Sequence, residues 1–250
     1  MTMQFYEFPT LGNISKLMLR SGEIPEPGRR QVLVRMRACS LNYRDLMICR
    51  NEFPPAKSSN LVPLCDGVGE VVALGDDVTR HKIGDRVAGL FFQEWENGPL
   101  TERALGTALG GPLDGVLTEY RVFEEGGLIG FPDHLSFHAA ATLPCAAVTA
   151  WHALFCGSRT LTPGQHVLVL GTGGVSVFAL QFALLAGAHV TAISSSDEKI
   201  SRLQEMGAHS TLNYWDTPKW GDIIARQGGA DHVIEVGGSG TLSNSMTACR

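Results

Sequence analysis

The sequence predicts an α/β protein in which a parallel sheet, covered by helices on both faces, follows a β-rich N-terminal half. Three observations carry this. The short apolar run Val167-Leu-Val-Leu170 breaks into glycines at Gly171, Gly173 and Gly174 and then opens an amphipathic helix. After it, apolar runs and helical patterns alternate to the end of the chain, as in a parallel sheet with helices on both sides. Before it, short strands separated by turn residues take the place of that alternation.

Taken in order, residues 31–38, 67–74, 85–90 and 116–122 read as strands, with turns at Pro25-Glu-Pro-Gly28 and Gly75-Asp-Asp77. The glycine- and leucine-rich stretch 97–115 has no clear period and predicts a long surface loop. Pro132 to Ser136 lead into one alanine-rich helix over 139–155 that links the halves, with the domain boundary at 130/131. In the loop that follows, Gly171 permits the tight turn out of the strand and Gly173 lets backbone approach a pyrophosphate. The next helix then aims its N-terminal amides, beginning at Gly174 and Val175, at the phosphate charge. Val175, Phe178, Ala179, Phe182 and Leu185 predict that helix's buried face, and Gly187 its left-handed cap. A strand over 189–193 precedes a helix with Ile200, Leu203 and Met206 on one face, stopped by Gly207. Strands at 211–214 and 232–236, with helices near Ile223 and from Thr241, complete the alternation.

Composition sets the outer bounds. A chain of 250 residues with 44% hydrophobic content can bury a substantial core. A net charge of −5 without a basic run argues against nucleic acid as a partner. The first residues lack the basic flank and apolar core of a signal peptide, and no apolar run is long enough to span a bilayer. Cys39, Cys49, Cys65, Cys145, Cys156 and Cys249 are scattered without a C-x-x-C pair, which predicts reduced thiols and a cytoplasmic setting.

The segments Ser40-Leu-Asn-Tyr-Arg-Asp45, Asp66-Gly-Val-Gly-Glu-Val-Val72, Gly84-Asp-Arg-Val87, Ala141-Thr-Leu-Pro-Cys145, Thr149-Ala-Trp151 and Gly171-Thr-Gly-Gly-Val-Ser176 span nearly the whole chain. In this order they resemble the medium-chain dehydrogenases/reductases, most closely the zinc-independent quinone oxidoreductase and enoyl-reductase-like alcohol dehydrogenase branch. The resemblance implies an N-terminal GroES-like catalytic domain over 1–130, a Rossmann domain over 131–250 and an active site in the cleft between them. It also implies further strands beyond Arg250, so the Rossmann sheet is expected to be incomplete and a homodimer is in doubt.

The superfamily divides on metal. The resemblance places the Cys, His and Cys ligands of a catalytic zinc at Asn42, Cys65 and Cys145, and an amide in place of the first thiolate should weaken binding severely. No metal is expected, and Cys65 and Cys145 read as small buried apolar residues. The resemblance places the four cysteines of a structural zinc after Gly84-Asp-Arg-Val87, and no cysteine lies between Val87 and Pro144, so none is expected. By the same resemblance Asn42 lies near nicotinamide and substrate, with Tyr43 beside it as a possible donor to a developing enolate. The alternatives stay open: Asn42 as a turn-former bonded to its own backbone, Tyr43 as a wall residue. Arg44 and Asp45 read as a local ion pair, and His138 and His152 as ordinary residues of the linking helix.

At the end of the second strand of the parallel half, NAD sites of this type present an acid to the ribose 2′-hydroxyl. Here Ser194, Ser195 and Ser196 stand instead, with Lys199 one turn on. Tyr214 matches a phosphate-contacting tyrosine of related quinone oxidoreductases. NADP(H) is therefore the expected cofactor, although Ser195 and Glu198 also spell a capping box. Thr149 aligns with a nicotinamide contact, Val236 and Gly237 lie where the fourth strand meets the adenosine side, and Ser176 replaces the last glycine of the fingerprint. The expected function is NADPH-dependent hydride transfer to a small quinone or α,β-unsaturated carbonyl, without zinc. The alternatives are an alcohol dehydrogenase, with or without residual zinc, and a nucleotide-binding protein that does not turn over.

Overall fold

Alternating strands and turns in the first half build sheets whose inner faces are lined by Val, Leu and Phe, while the second half buries its two central strands on both faces. The computed structural model describes residues 1–53 and 56–250. It forms two units, Met1–Cys145 and Ala146–Arg250.

The first unit contains β1 (Thr2–Thr10), β2 (Met18–Glu23), β3 (Gln31–Ser40), α1 (Tyr43–Cys49), β4 (Ser59–Leu61), β5 (Asp66–Leu74), β6 (Arg86–Gly89), α2 (Glu102–Leu105), β7 (Tyr120–Glu124), β8 (Leu128–Gly130) and α3 (Phe137–Ala141). β7-β3-β5-β6-β8 form an antiparallel sheet, and β2-β1-β4 a smaller one. Val32, Val34, Val71, Val87, Phe123 and Leu128 fill one core on the larger sheet. At Gly69 the strands run so close that a Cβ would collide with the Arg35 carbonyl, so only glycine fits.

Two expectations change here. The strand expected at 116–122 lies at Tyr120–Glu124, because the amides of Val116 and Leu117 are taken by the carbonyls of Pro63 and Leu64 instead of a sheet neighbour. The stretch 97–115 is not a surface loop: it carries α2, capped by Thr101, and it buries Ala108 and Leu109. Leu109 is held by its amide to Phe91, a single-residue pairing that leaves no period in the sequence.

The expected linking helix is broken. α3 is capped by Ser136 and followed by a π-turn over Leu143–Ala147, before α4 (Val148–Phe155) resumes. Pro144 has no N–H to give to an α-helical ladder, which accounts for the interruption.

The second unit continues from α4 with β9 (His166–Leu170), α5 (Gly174–Leu185), β10 (His189–Ser194), α6 (Asp197–Glu205), β11 (Ser210–Asn213), α7 (Trp220–Arg226), β12 (His232–Ile234) and α8 (Leu242–Ala248). The strands are parallel in the order β11-β10-β9-β12. Alternate residues of β9 serve opposite layers: Val167 and Val169 pack with α4 and α5 residues, Leu168 and Leu170 with Trp220 and Ile224 of α7. The expected apolar face of α5 is turned by about one position. Ser176, Ala179, Leu180 and Ala183 are buried while Leu185 is 84% exposed, because small side chains let the helix approach the sheet. Gly187 (φ +74°) and Gly207 (φ +101°) end α5 and α6 in the left-handed region, as expected. No helix among the described residues is long and apolar enough to cross a membrane.

Candidate functional site

The sheet of the second unit reverses its order at β9: β10 and β11 lie on one side, β12 on the other. Ligands of open parallel sheets bind beyond the carboxyl ends of strands at such a switch point, and Gly171 to Gly174 occupy that position. Gly171 has φ +76°, and its amide donates to the Ile193 carbonyl at 2.7 Å, which fixes the turn. Side chains at Gly171 or Gly173 would meet nothing within 4 Å, so open space lies over the loop. Gly173 caps α5, whose first amides, from Gly174 and Val175 onward, have no intrahelical acceptor. Free amides over an open cradle suit a pyrophosphate. Ser176 is fully buried and its hydroxyl donates to the Leu170 carbonyl at 2.6 Å, so the residue that replaces a glycine stitches α5 to β9.

The parallel register sets Ser194 opposite Asn213, and the Tyr214 amide donates to the Ser194 carbonyl at 3.1 Å. The structure thus brings Ser194, Ser195, Ser196 and Tyr214 together. Ser194 is buried, Ser195, Ser196 and Tyr214 are half-buried, and Lys199 is exposed on the first turn of α6. The expected capping box does not form. Ser196, not Ser195, is the N-cap, which makes Glu198 the second residue of α6, too early to reach back, and Glu198 pairs with Arg202 instead. Asp197, which opens α6, accepts from the Asn213 side chain at 3.1 Å. Val236 and Gly237 are exposed beyond β12, and Thr149 is exposed on α4.

In the first unit a polar cluster gathers at the starts of α1 and β5. Asn42 caps α1, and its backbone amide donates to the Asp45 carboxylate at 2.7 Å. Its side-chain amide faces the Cys65 sulfur at 3.6 Å. The Cys65 thiol donates to Asp66 at 2.9 Å, and the other Asp66 oxygen accepts from the Cys145 amide at 3.0 Å. Cys65 packs in the apolar core as expected, yet it also belongs to this network. Burial pushes the Asp45 carboxyl up to about 6 and raises Asp66 as well, against the hydrogen bonds from Cys65 and Asn42 that favour its ionised form. The neighbouring Cys145 thiol, followed by burial and the Asp66 charge, drives the Cys65 thiol far above its ordinary value. Cys65 Sγ, Cys145 Sγ and an Asp66 oxygen lie within 4.8 Å of one another, the one set among the described residues with the spacing of metal ligands.

Sequence reasoning passed over Asp66. Its signal was available: an acid inside an apolar, glycine-rich strand has to find a partner once buried. The expected Arg44–Asp45 ion pair is not formed. Arg44 donates to the Leu109 carbonyl at 2.9 Å and lies over the Phe91 ring, while Asp45 turns to its helix cap. Tyr43 is 72% exposed, and His138 and His152 are exposed.

The antiparallel unit, the parallel unit and the glycine loop at its switch point define an α/β protein with a dinucleotide-type phosphate cradle. The alcohol dehydrogenase GroES-like domain matches residues 28–133, and the zinc-binding dehydrogenase family matches residues 174–250. A zinc-type alcohol dehydrogenase-like protein of Schizosaccharomyces pombe is 44% identical over all of this chain and 73% of its own length. Among solved structures, a candidate alcohol dehydrogenase from Sinorhizobium meliloti 1021 is 38% identical with a TM-score of 0.91, covering 99% of this chain and 74% of its own. The quinone oxidoreductase of Pseudomonas syringae pv. tomato DC3000 is 29% identical with a TM-score of 0.81, covering 99% and 70%. The chain belongs to the medium-chain dehydrogenase/reductase superfamily.

Proposed function

We propose that this chain is an NADPH-dependent reductase that transfers hydride to a quinone or an α,β-unsaturated carbonyl compound without a bound metal. One observation carries the reading: the Cys65 sulfur faces the Asn42 amide and donates to Asp66, whose other oxygen accepts from the Cys145 backbone amide, so Cys65 and Asp66 are already held by protein partners. The likeness to a quinone oxidoreductase supports it.

NADPH, when bound, supplies the hydride. The amides at the start of α5, from Gly174 and Val175, hold its pyrophosphate over Gly171 and Gly173. A 2′-phosphate would be held by Ser195, Ser196, Tyr214 and Lys199, with Ser194 at the end of β10 beside them, where a free carboxylate would repel it. Asp197 is engaged by Asn213. Val236 and Gly237 would border the cofactor's adenosine, and Thr149 its nicotinamide. Hydride arriving at a β-carbon leaves an enolate. Asn42, whose side-chain amide faces Cys65 and Asp66, would give up one of those contacts to donate to the developing oxyanion, with the exposed Tyr43 hydroxyl as second donor. All six thiols are free, which suits the cytoplasm. Stopped-flow absorbance of NADPH with a quinone and an enone should show its loss with at least one, and inertness toward both would overturn the reading.

A second reading is favoured by the spacing of Cys65, Asp66 and Cys145: these three could hold zinc, and the protein would then act on alcohols or aldehydes as a dehydrogenase. Elemental analysis separates the two, since stoichiometric zinc supports only the second.

A further inference from the structure

We propose that Cys65 and Cys145 are an oxidation site at which a peroxide-class oxidant closes a reversible intramolecular disulfide. This rests on the metal-free reading above, because a bound cation would occupy both sulfurs.

The two residues are 80 positions apart, yet their sulfurs lie within 4.8 Å. The fold has already brought them together, so bond formation needs side-chain rotation and a small approach of the turn at Leu143–Ala147 towards β5. The other thiols are differently placed: Cys39 donates to the Val116 carbonyl and Cys249 to the Ser245 carbonyl, Cys49 is buried in α1, and Cys156 is exposed after α4.

Access orders the steps. Cys145 is partly exposed, whereas Cys65 is sealed. The Cys145 sulfur attacks one oxygen of the peroxide. The S–O bond forms, the O–O bond breaks, and the departing oxygen leaves as water with the thiol proton, giving a sulfenic acid. Cys65 then attacks the Cys145 sulfur. Asp66, which already accepts the Cys65 S–H at 2.9 Å, takes the proton as the S–S bond forms, and passes it to the departing hydroxide, which leaves as a second water. Two thiols are oxidised by two electrons and one peroxide is reduced to two waters.

Oxidation would turn the thiol that faces Asn42 into a disulfide sulfur and remove the S–H that donates to Asp66. The polar cluster and the redox state of the pair are therefore linked.

The test is peptide mapping of the full chain, with zinc content measured first, after hydrogen peroxide on the folded protein and then alkylation of free thiols in denaturant. The expected result is a Cys65–Cys145 cross-linked peptide and a drop of about tenfold in alkylation of those two residues, reversed by dithiothreitol. Cys65→Ser should leave a sulfenic acid at Cys145 that dimedone labels, while Cys145→Ser leaves none at Cys65. Metal-free protein that stays alkylatable at both residues, or cross-links elsewhere, overturns the proposal. Protein that carries zinc and resists peroxide, but cross-links once chelated, overturns the metal-free reading and upholds the disulfide.

Discussion

Asp45→Asn should stabilise the protein at neutral pH and lose most of that effect in acid. Asp45 holds the Asn42 amide with one oxygen, while its other oxygen is buried with no hydrogen-bond partner. Burial raises its carboxyl from 3.8 to about 6, outweighing the Asn42 amide and the nearby Arg44 charge. A raised folded-state value means that the folded form binds the proton more tightly. The group's contribution is therefore most favourable below about 3.8 and is lost as pH rises through about 6. A rise of roughly two units corresponds to at most about 3 kcal/mol at neutral pH. Asparagine keeps the acceptor for the Asn42 amide and puts a neutral NH2 at the orphan oxygen. Urea unfolding of both proteins at several pH values from the acid range to neutrality is the assay. The variant should gain on the wild type as pH rises, by up to about 3 kcal/mol. A difference between the proteins constant with pH to within about 0.5 kcal/mol would refute the reasoning.

Gly171→Ala forces a side chain into φ +76°, costing about 1–2 kcal/mol of backbone strain, and calorimetry should show weaker NADPH binding with the fold retained by circular dichroism. Ser176→Ala removes the buried bond to the Leu170 carbonyl and should lower stability by about 1 kcal/mol in urea titration. The Glu125 carboxyl is held down to about 2 by the amides of Thr79 and Arg80, with Arg30 assisting. Its stabilisation is present above the unfolded value of 4.5 and is lost as pH falls towards 2, so Glu125→Gln should flatten the acid limb of thermal stability below pH 4.5.

The parallel half was legible because its central strands β9 and β10 are buried on both faces, and each strand stops at a glycine or a turn. Val167 to Leu170 is a continuous apolar run for that reason, and Gly187 and Gly207 mark helix ends through their backbone. The helix face of α5 was read one position off because periodicity favours large residues, whereas close packing on the sheet favours Ala179, Ala183 and Ser176. In the first half β2 is almost wholly exposed, so its sequence carries no alternation to detect. The break at Pro144 was visible as a residue, but the alanines around it masked its effect. Asn42, Cys65 and Cys145 could be placed side by side only through a resemblance. Asp66, which ties two of them together, depends on contacts between residues far apart in the chain.

The most direct test is single-turnover oxidation of NADPH by a quinone or an enone, using protein assayed for zinc and held in a chelator. Decay that persists without metal, and is slower with NADH, is the predicted result. Decay that vanishes with the chelator and returns with zinc would contradict it.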